Sequence, residues 1–437
     1  MTVMTPPTRP MNDPLTSAYP VLDAARLSEL VEAEVCAGGL RHKPGRSTSA
    51  SLLSRSTGRP LGWVQILLGH QPEKVANARR RASARGRDVR VRDLPDVAGV
   101  LVHGPIDTDP RLHRGLATIA PVLPDLVAAI ADGAVEVLRY NALRRLVLRG
   151  GDLDTSGHLQ PGQPWGVAQP GRGLVDGVPA TEVVRVSAVR RGPGLRAAAE
   201  LAARGLPVGA AVLDPVTPTS RYVTVWPWVE GVDLAHAPDP DAAAAAAHAL
   251  AGVHIVADSV GGQRIQRMLT PGDPPQHRVA RIVTDALAVA PELAGRMLSV
   301  IERLPEPAWD TGHIVHGDFS ADQVIRRAAA PQDTGAGAGS ADITIIDLDR
   351  VRLGDPHEDL GCFAAAELRR TGGWGLLPHL VEAYPRPVRR GSLHAWTLHA
   401  LVMRVLEPFR SASPDWRNEI SARFDEIEHV LTDGVLT

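Results

Sequence analysis

The sequence predicts an α+β protein with a β-rich first half and a mostly helical second half. Residues 38–69 contain apolar runs broken by Gly and Pro, which is typical of antiparallel strands joined by turns. Helical patterns dominate from about Asp239 to the end of the chain. They are interrupted once, at residues 313–361, where a loop is followed by the apolar strand Ile343–Ile346.

The composition is that of an ordinary globular protein. The 437 residues allow two or three domains, and 44% are hydrophobic and 22% charged. A net charge of −2 argues against a nucleic-acid partner, and only the basic stretch at 78–92 favours one. Two cysteines indicate a reducing compartment, and no apolar run reaches membrane-spanning length. We expect a cytoplasmic protein without a nucleic-acid or membrane partner.

The pattern divides the chain into four parts. Residues 1–18 are polar and rich in Pro, so we expect a disordered tail. Residues 19–115 form an N-terminal α/β subdomain with a helix at 23–35, several strands and a basic exposed helix near 73–86. Residues 116–232 form a smaller β-rich lobe, and 233–437 a helical lobe. The Gly/Pro-rich segments 151–180 and 327–342 are expected to be loops outside the core.

Two basic hairpin patterns share a weak likeness. "VEVLRYNALRRLVLRG" at 135–150 echoes "GLRHKPGRSTSASLL", which begins at Gly39. Either the first half carries two similar small sheets, or two unrelated hairpins coincide. The rest of the smaller lobe is predicted as the strand "TEVVRVSA", the helix "GLRAAAELAARG" and the strand in "RYVTVWPWVEGVDL".

Three short segments in the second half carry candidate chemistry. "HGDFSADQVI" supplies Asp318 and Gln323, and "ITIIDLDR" places Asp347 at the end of an apolar strand. "LGDPHEDLG" adds Asp355 and Asp359, which we expect to be structural residues that cap a helix and tie it to the loop. Phosphoryl transfer needs a carboxylate beside the accepting hydroxyl and oxygen ligands for Mg²⁺.

Each segment alone is a weak signal. A His-Gly-Asp tripeptide is common by chance, and an Asp after a strand is often only a turn residue. Their order, with a strand where a rigid metal ligand is needed, makes the combination specific. The scattered histidines lack the close spacing of a zinc site.

These segments resemble the aminoglycoside phosphotransferase and choline-kinase-like superfamily. The likeness extends over residues 135–437 and includes "AHALAGVH", ending at His254, and "VTVWPWVEGVDL". It implies a bilobal protein-kinase-like fold, with ATP and Mg²⁺ as cofactors. It also implies Asp318 as catalytic base, and Gln323 and Asp347 as metal ligands. Backbone groups near Trp226, Trp228 and Val229 would hold the adenine.

The sequence departs from the family pattern at two places. Gln323 stands where the family usually has Asn, a feature similar to maltokinases, and it keeps an amide oxygen for the metal. Arg185 stands where the family has a lysine that contacts the nucleotide phosphates, and Glu200 would be its partner on the next helix. Arg can contact phosphate but is not a geometric equivalent of Lys. A solvent-facing strand residue is the other interpretation of Arg185.

The basic turns "RHKPGR" and "NALRR" are alternative candidates for covering the phosphates, although either could be a plain solvated hairpin.

The sequence therefore predicts an ATP-dependent phosphotransferase acting on a hydroxyl of a small molecule, as a monomer or homodimer. The acceptor class implied is an aminoglycoside, an amino sugar or a sugar. Gln323 and the additional N-terminal subdomain tilt the choice towards a sugar, whereas "DLDR" and "GDPHEDLG" are more similar to the aminoglycoside branch. The alternative is a pseudokinase that binds a nucleotide or another ligand as a regulator.

Overall fold

The computed structural model describes residues 13–69, 71–121, 123–132, 134–150, 152–153, 159–160, 182–190, 192–211, 222–255, 262–327 and 342–436. Most of the two loops expected at 151–180 and 327–342 lies outside these residues, as do the first twelve residues.

The first part of the chain forms a five-stranded antiparallel sheet, called here the first sheet. Its elements are α1 (Tyr19–Leu22), α2 (Ala24–Val31), β1 (Val35–Lys43), β2 (Ser47–Ser54), β3 (Pro60–Leu68), α3 (Pro72–Ser83), β4 (Arg90–Leu94) and β5 (Gly99–Pro105). The strand order is β1-β2-β3-β5-β4. The predicted hairpins and the basic helix are confirmed.

Two predictions for this region are wrong at their boundaries. The helix expected over 23–35 ends at Val31, because Glu32 adopts a left-handed conformation with φ 59° and ψ 40°. The tail expected to be disordered up to residue 18 is packed from Leu15 onward, where Leu15 is 3% exposed and Ala18 fully buried. Apolar side chains at these positions join the core, which overrides the polar composition of the segment.

A second sheet follows, with further helices beside it. Its region contains α4 (His113–Ile119), α5 (Leu126–Ala131), β6 (Val135–Asn141), β7 (Arg145–Gly150), β8 (Asp152–Leu153), β9 (Leu159–Gln160), β10 (Glu182–Ser187), α6 (Pro193–Ala203) and β11 (Val223–Pro227). Four of these strands pair in the order β11-β10-β7-β6, and β8 pairs with β9 separately. Each sheet thus starts with a hairpin, adds a third strand, and has a helix before a later strand. The two sheets share this order of elements but contain five and four strands.

The remaining chain is mostly helical. Its elements are β12 (Val232–Asp233), α7 (Pro240–Ile255), α8 (Gly262–Met268), α9 (Pro275–Val289), α10 (Ala294–Glu302), β13 (His313–Val315), β14 (Val324–Arg326), β15 (Ile343–Ile345), β16 (Arg352–Gly354), α11 (Pro356–Thr371), α12 (Leu377–Ala383), α13 (Arg390–Met403), α14 (Glu407–Arg410) and α15 (Trp416–Asp433). The short strands form the sheets β12-β14-β15 and β13-β16. The α+β division predicted from the sequence is confirmed.

The first sheet is buried on both faces. Along β3, Val64 and Ile66 belong to the core cluster that contains most buried apolar residues of the helical half. Trp63 and Leu67 point the other way and join a cluster shared with the second sheet. The first sheet is therefore packed between the second sheet and the helical half.

No helix among the described residues combines the length and apolar character needed to cross a membrane.

The contact between α11 and α13 generates a test of packing. A Cβ atom at Gly361 in α11 would lie 2.6 Å from the carbonyl carbon of Trp396 and 2.7 Å from the nitrogen of Thr397 in α13. We predict that Gly361→Ala lowers the free energy of unfolding by about 1–3 kcal/mol, because the two helices must move apart. Denaturant titration measures the change.

Gly391→Ala in α13 is the matched control, because a Cβ there meets nothing within 4 Å. We expect it to be neutral or slightly stabilising. Equal effects of the two substitutions would contradict the close helix contact.

Candidate active site

The loop that follows β13 is held by one buried carboxylate. Asp359, on α11, is fully buried. It accepts hydrogen bonds from the backbone N–H groups of His316 and Gly317, both at 2.7 Å. Gly317 has φ 83°, a left-handed conformation that glycine adopts readily. These bonds fix the backbone immediately before Asp318, as expected for a structural role of Asp359.

A histidine connects the same carboxylate to α7. His254 Nε2 lies 3.0 Å from Asp359 Oδ2, and its Nδ1 lies 2.5 Å from the hydroxyl of Tyr384. Burial lowers the pKa of His254, so the ring is neutral, with Nε2–H donating to Asp359 and Nδ1 accepting from Tyr384. Burial alone would raise the pKa of Asp359, but its hydrogen bonds hold that pKa below its usual range.

Asp318 lies beyond this fixed backbone with its carboxylate between two guanidinium groups. Arg350 Nη1 is 2.9 Å from Oδ2, and Arg404 Nη2 is 3.5 Å from Oδ1. The Asp318 side chain remains 31% exposed. The carboxylate is thus oriented by two guanidinium groups and is still accessible to a reactant.

Gln323 and Asp347 are brought together by strand pairing. The strands β14 and β15 are antiparallel with Val324 opposite Ile345, and the N–H of Ile346 donates to the carbonyl oxygen of Gln323 at 2.9 Å. Asp347, the next residue, turns out of the strand with φ 58° and ψ 43°. The strand expected to include Ile346 ends at Ile345 for this reason.

The oxygen atoms at this position fit a metal ion such as Mg²⁺. Gln323 is 8% exposed, and its Oε1 is buried without a hydrogen-bond partner. An unsatisfied buried amide oxygen is unfavourable unless a ligand completes it. Asp347 supplies a carboxylate from the neighbouring strand end, and both are hard oxygen ligands. Within the described ranges no group of three or more His, Cys, Asp or Glu could hold a metal, so the candidate rests on one amide and one carboxylate.

Arg185 and Arg145 lie on one face of the second sheet, which faces Asp347 and Asp349. Arg145 is opposite Ser187, two residues from Arg185, which places both side chains on the same face. Arg185 Nη1 lies 3.5 Å from Asp347 Oδ1 and also contacts Asp349. Arg145 Nη1 lies 3.8 Å from Asp349. Burial and the charge of Arg145 lower the pKa of Arg185 to about 10.

The expected pair of Arg185 with Glu200 is not formed. Glu200 lies 3.3 Å from Arg264 of α8 instead. The start of α6 explains this, because a Cβ at Gly194 would lie 3.4 Å from the carbonyl oxygen of Asp349, which places that helix end beside the Arg185 partners. Glu200 is six residues further, about 9 Å along the helix axis.

The segment expected to hold the adenine connects the two halves. Trp226 lies near the end of β11, and its Nε1 donates to Thr224 at 3.1 Å. The guanidinium of Arg149 stacks 3.9 Å from the ring centre of Trp228, whose Nε1 is buried without a partner. Val229 follows Trp228 outside regular structure and leads to β12.

Asp355 caps the helix that carries Asp359. Its side chain accepts from the N–H of His357 at 2.8 Å at the start of α11. This agrees with the structural role predicted for it.

Three arginines at the site were not predicted from the sequence. Arg145 belongs to the "NALRR" turn that was noted only as a possible cover, and Arg350 directly follows the second Asp of "DLDR". Arg404 lies just after α13, 86 residues from Asp318, with no local signal for that contact.

The buried His254–Asp359 pair makes stability depend on pH. The folded pKa of both groups is lowered, so the unfolded chain takes up protons first as pH falls. The stabilisation from His254 is present above the unfolded pKa of histidine, about 6.5, and is lost below it, whereas that from Asp359 is lost only below the unfolded pKa of aspartate, about 3.9. For His254 the loss from about pH 7 to about pH 5 is up to about 2 kcal/mol, measured by denaturant titration at each pH.

The control for this dependence is His254→Gln, which removes the titrating ring. We expect this variant to be less stable at about pH 7 and to lose less stability on acidification than the unsubstituted protein. An identical pH slope in both proteins would contradict the assignment.

Part of the chain is similar in sequence to a known protein family. Residues 187–394 match the sequence model of APH, the phosphotransferase enzyme family. The match includes Asp318, Gln323 and Asp347, and it begins two residues after Arg185. No curated protein matches the sequence.

Solved structures with distant similarity include kinases and phosphotransferases. A choline/ethanolamine kinase family protein from Mesorhizobium loti is 15% identical, with a TM-score of 0.43 over 73% of this chain and 95% of its own. The GDP complex of aminoglycoside 2'-phosphotransferase-IIIa has the same identity and TM-score over 73% and 98%. A choline kinase from Cryptosporidium parvum Iowa II is 11% identical, with a TM-score of 0.45 over 73% and 96%.

Because these TM-scores are low, the similarity that bears on function is the family match. The matched residues 187–394 include the loop after β13 and the paired ends of β14 and β15. The resemblance drawn from the sequence is thereby confirmed for this segment, which is similar to the phosphotransferase enzyme family.

Proposed function

We propose that this protein transfers the γ-phosphoryl group of ATP to a hydroxyl group of a sugar-type small molecule. The observation that carries the proposal is the placement of Asp318. Its carboxylate follows a backbone fixed by Asp359, is partly exposed, and pairs with Arg350, three residues after Asp347. Asp318 orients the acceptor hydroxyl and takes its proton as the phosphoryl group is transferred.

Gln323 and Asp347 would hold Mg²⁺ in this proposal. The support is the buried, unpartnered Oε1 of Gln323 and the position of Asp347 at the end of the paired strand. A bound Mg²⁺ would neutralise negative charge on the phosphates. The hydrogen bond between Ile346 N–H and the Gln323 carbonyl keeps the two ligands on one rigid element.

Arg185 and Arg145 would bind the phosphates from the second sheet. Both guanidinium groups face the aspartates, and Arg185 is only 18% exposed in its side chain. Arg185 pairs with Asp347 and Asp349 in the structure. Since a guanidinium forms strong charge-assisted bonds with phosphate, the nucleotide can compete for Arg185 and release Asp347 for the metal. This gives Arg185 a role where the family has Lys.

The adenine would lie against the segment Trp226–Val229. The segment joins β11 of the second sheet to β12, which pairs with β14 of the catalytic region. Backbone N–H and C=O groups in such a connection can hydrogen-bond a base edge. The Arg149–Trp228 stack limits the mobility of the segment.

The charge near Asp318 favours a neutral acceptor over a polycationic one. Arg350 and Arg404 both lie within 3.5 Å of the Asp318 carboxylate. An ammonium group of an acceptor about 4 Å from either guanidinium would be repelled by about 1–4 kcal/mol. Neutral hydroxyl groups meet no such penalty and can accept hydrogen bonds from guanidinium N–H groups. We therefore choose a sugar over an aminoglycoside.

The first test of this function is Asp318→Asn, which keeps the shape of the side chain and removes the base. We predict a fall in turnover of about 10²–10⁴-fold, because general-base catalysis is lost. The dissociation constant for ATP, measured by calorimetry, should stay within about threefold, since Asp318 faces the acceptor. Asp342→Asn is the control, because Asp342 is exposed and pairs only loosely with Arg327 at 3.8 Å.

Full turnover in Asp318→Asn would exclude this mechanism. ATP binding by the unsubstituted protein without transfer to any acceptor would instead favour the regulatory pseudokinase.

The second test compares acceptors. We predict that ATP consumption with neutral mono- and disaccharides exceeds that with aminoglycosides at least about tenfold, because of the guanidinium groups at Asp318. Coupled ADP detection across a panel of both classes measures this. Faster consumption with an aminoglycoside would overturn the choice of acceptor while leaving the phosphotransferase assignment intact.

A further inference from the structure

The turn between β6 and β7 is bound to the first sheet. Ser51, on β2, donates a hydrogen bond from its Oγ to the carbonyl oxygen of Tyr140 at 3.0 Å. The same Oγ accepts from the N–H of Ala142 at 3.1 Å. Ser51 is 1% exposed, and these bonds join residues about 90 positions apart. One side chain thus satisfies two backbone groups of the turn.

A buried aspartate holds the other side of the same turn. Asp109 is fully buried, and its Oδ2 accepts from the N–H of Leu143 at 2.7 Å and from the hydroxyl of Tyr140 at 3.0 Å. Its Oδ1 accepts from the N–H groups of Arg111 and Leu112 at 2.9 and 3.2 Å. Burial raises the pKa of Asp109, and these hydrogen bonds oppose that rise.

The turn has a conformation that needs support. Leu143 has φ 62°, in the left-handed region that disfavours residues other than glycine by roughly 1–2 kcal/mol. The hydrogen bond from its N–H to Asp109 is the contact that holds it there. Leu143 is also 6% exposed and packs in the cluster shared by the two sheets.

The turn leads directly into the arginines of the site. Arg144 is exposed at its end, and Arg145 begins β7 and lies 3.8 Å from Asp349, which also contacts Arg185. Movement of the turn would move the guanidinium groups of Arg144 and Arg145 relative to Asp347 and Asp349. Turns that cover a ligand are usually mobile in the absence of that ligand. Here the first sheet removes that freedom.

We propose that Ser51 and Asp109 are positioning residues, through which the first sheet and the segment between β5 and α4 hold the β6–β7 turn and its arginines in place for the nucleotide phosphates. This rests on the proposed function for the identity of the ligand. Binding then requires no ordering of the turn, so the ordering entropy does not weaken the affinity. The first sheet is in this way part of the nucleotide site without touching the nucleotide.

Two substitutions test the proposal. Ser51→Ala removes both bonds of the hydroxyl, and Asp109→Asn keeps one acceptor oxygen but loses two of the four bonds. We predict that the dissociation constant for ATP with Mg²⁺ rises about 5–10-fold in Ser51→Ala and more in Asp109→Asn. The KM for the acceptor should change less than about twofold, because the turn faces the phosphates. Calorimetry and steady-state kinetics give the two constants.

Ser49→Ala is the matched control. Ser49 is a buried serine on the same strand and face, 4% exposed, and its Oγ lies 3.5 Å from the Arg41 carbonyl within the first sheet. We expect it to lower stability less than Ser51→Ala, because only one long hydrogen bond is lost, and to leave the affinity for ATP unchanged. Hydrogen exchange at Ala142 and Leu143 should become faster in the two test variants only.

ATP affinity within about twofold of the unsubstituted protein in both test variants would overturn the proposal and leave Ser51 and Asp109 with a purely structural role. The dissociation constant does not depend on turnover. A protein that binds ATP in this manner without transferring phosphate would therefore contradict the proposed function and still support the positioning role.

Discussion

The buried carboxylate of Asp359 is the contact on which the site depends. It binds the backbone N–H groups of His316 and Gly317 and the ring of His254, and thereby joins α11, the loop after β13 and α7. Loss of one partner would leave a charge buried without compensation, which is strongly unfavourable. The position of Asp318 follows from this network, because the fixed backbone ends directly before it. The ring of His316 extends the network to the carbonyl of Ile346, beside Asp347.

A second set of charges joins the β-rich half to the catalytic strands. Arg185 and Arg145 reach from the second sheet to Asp347 and Asp349, and burial of Arg185 strengthens these interactions. The first sheet and the segment that follows β5 add further support, since Ser51 and Asp109 bind the turn from which Arg145 extends. In the proposed function Arg145 is held in place before a nucleotide binds, which favours electrostatic stabilisation, whereas Arg185 exchanges its aspartate partners for phosphate.

The features that depend on local sequence pattern were predicted correctly from the sequence. The α+β division, the hairpins and the order of Asp318, Gln323 and Asp347 follow from periodicity and short motifs. The partner of Arg185 did not, because strand patterns place a residue on a face but do not decide which of several carboxylates it meets. Ser51 and Asp109 were missed because a lone serine in a strand and an aspartate in a turn have ordinary local explanations.

The most direct test of the account is a crystal structure with Mg²⁺ and a non-hydrolysable ATP analogue. We predict that the metal ion is bound to Gln323 Oε1 and the Asp347 carboxylate, and that Arg185 has turned from Asp349 to a phosphate oxygen. The β6–β7 turn should keep its bonds to Ser51 and Asp109. A nucleotide bound elsewhere, or a metal ion held without Gln323 and Asp347, would contradict the assignment of this site.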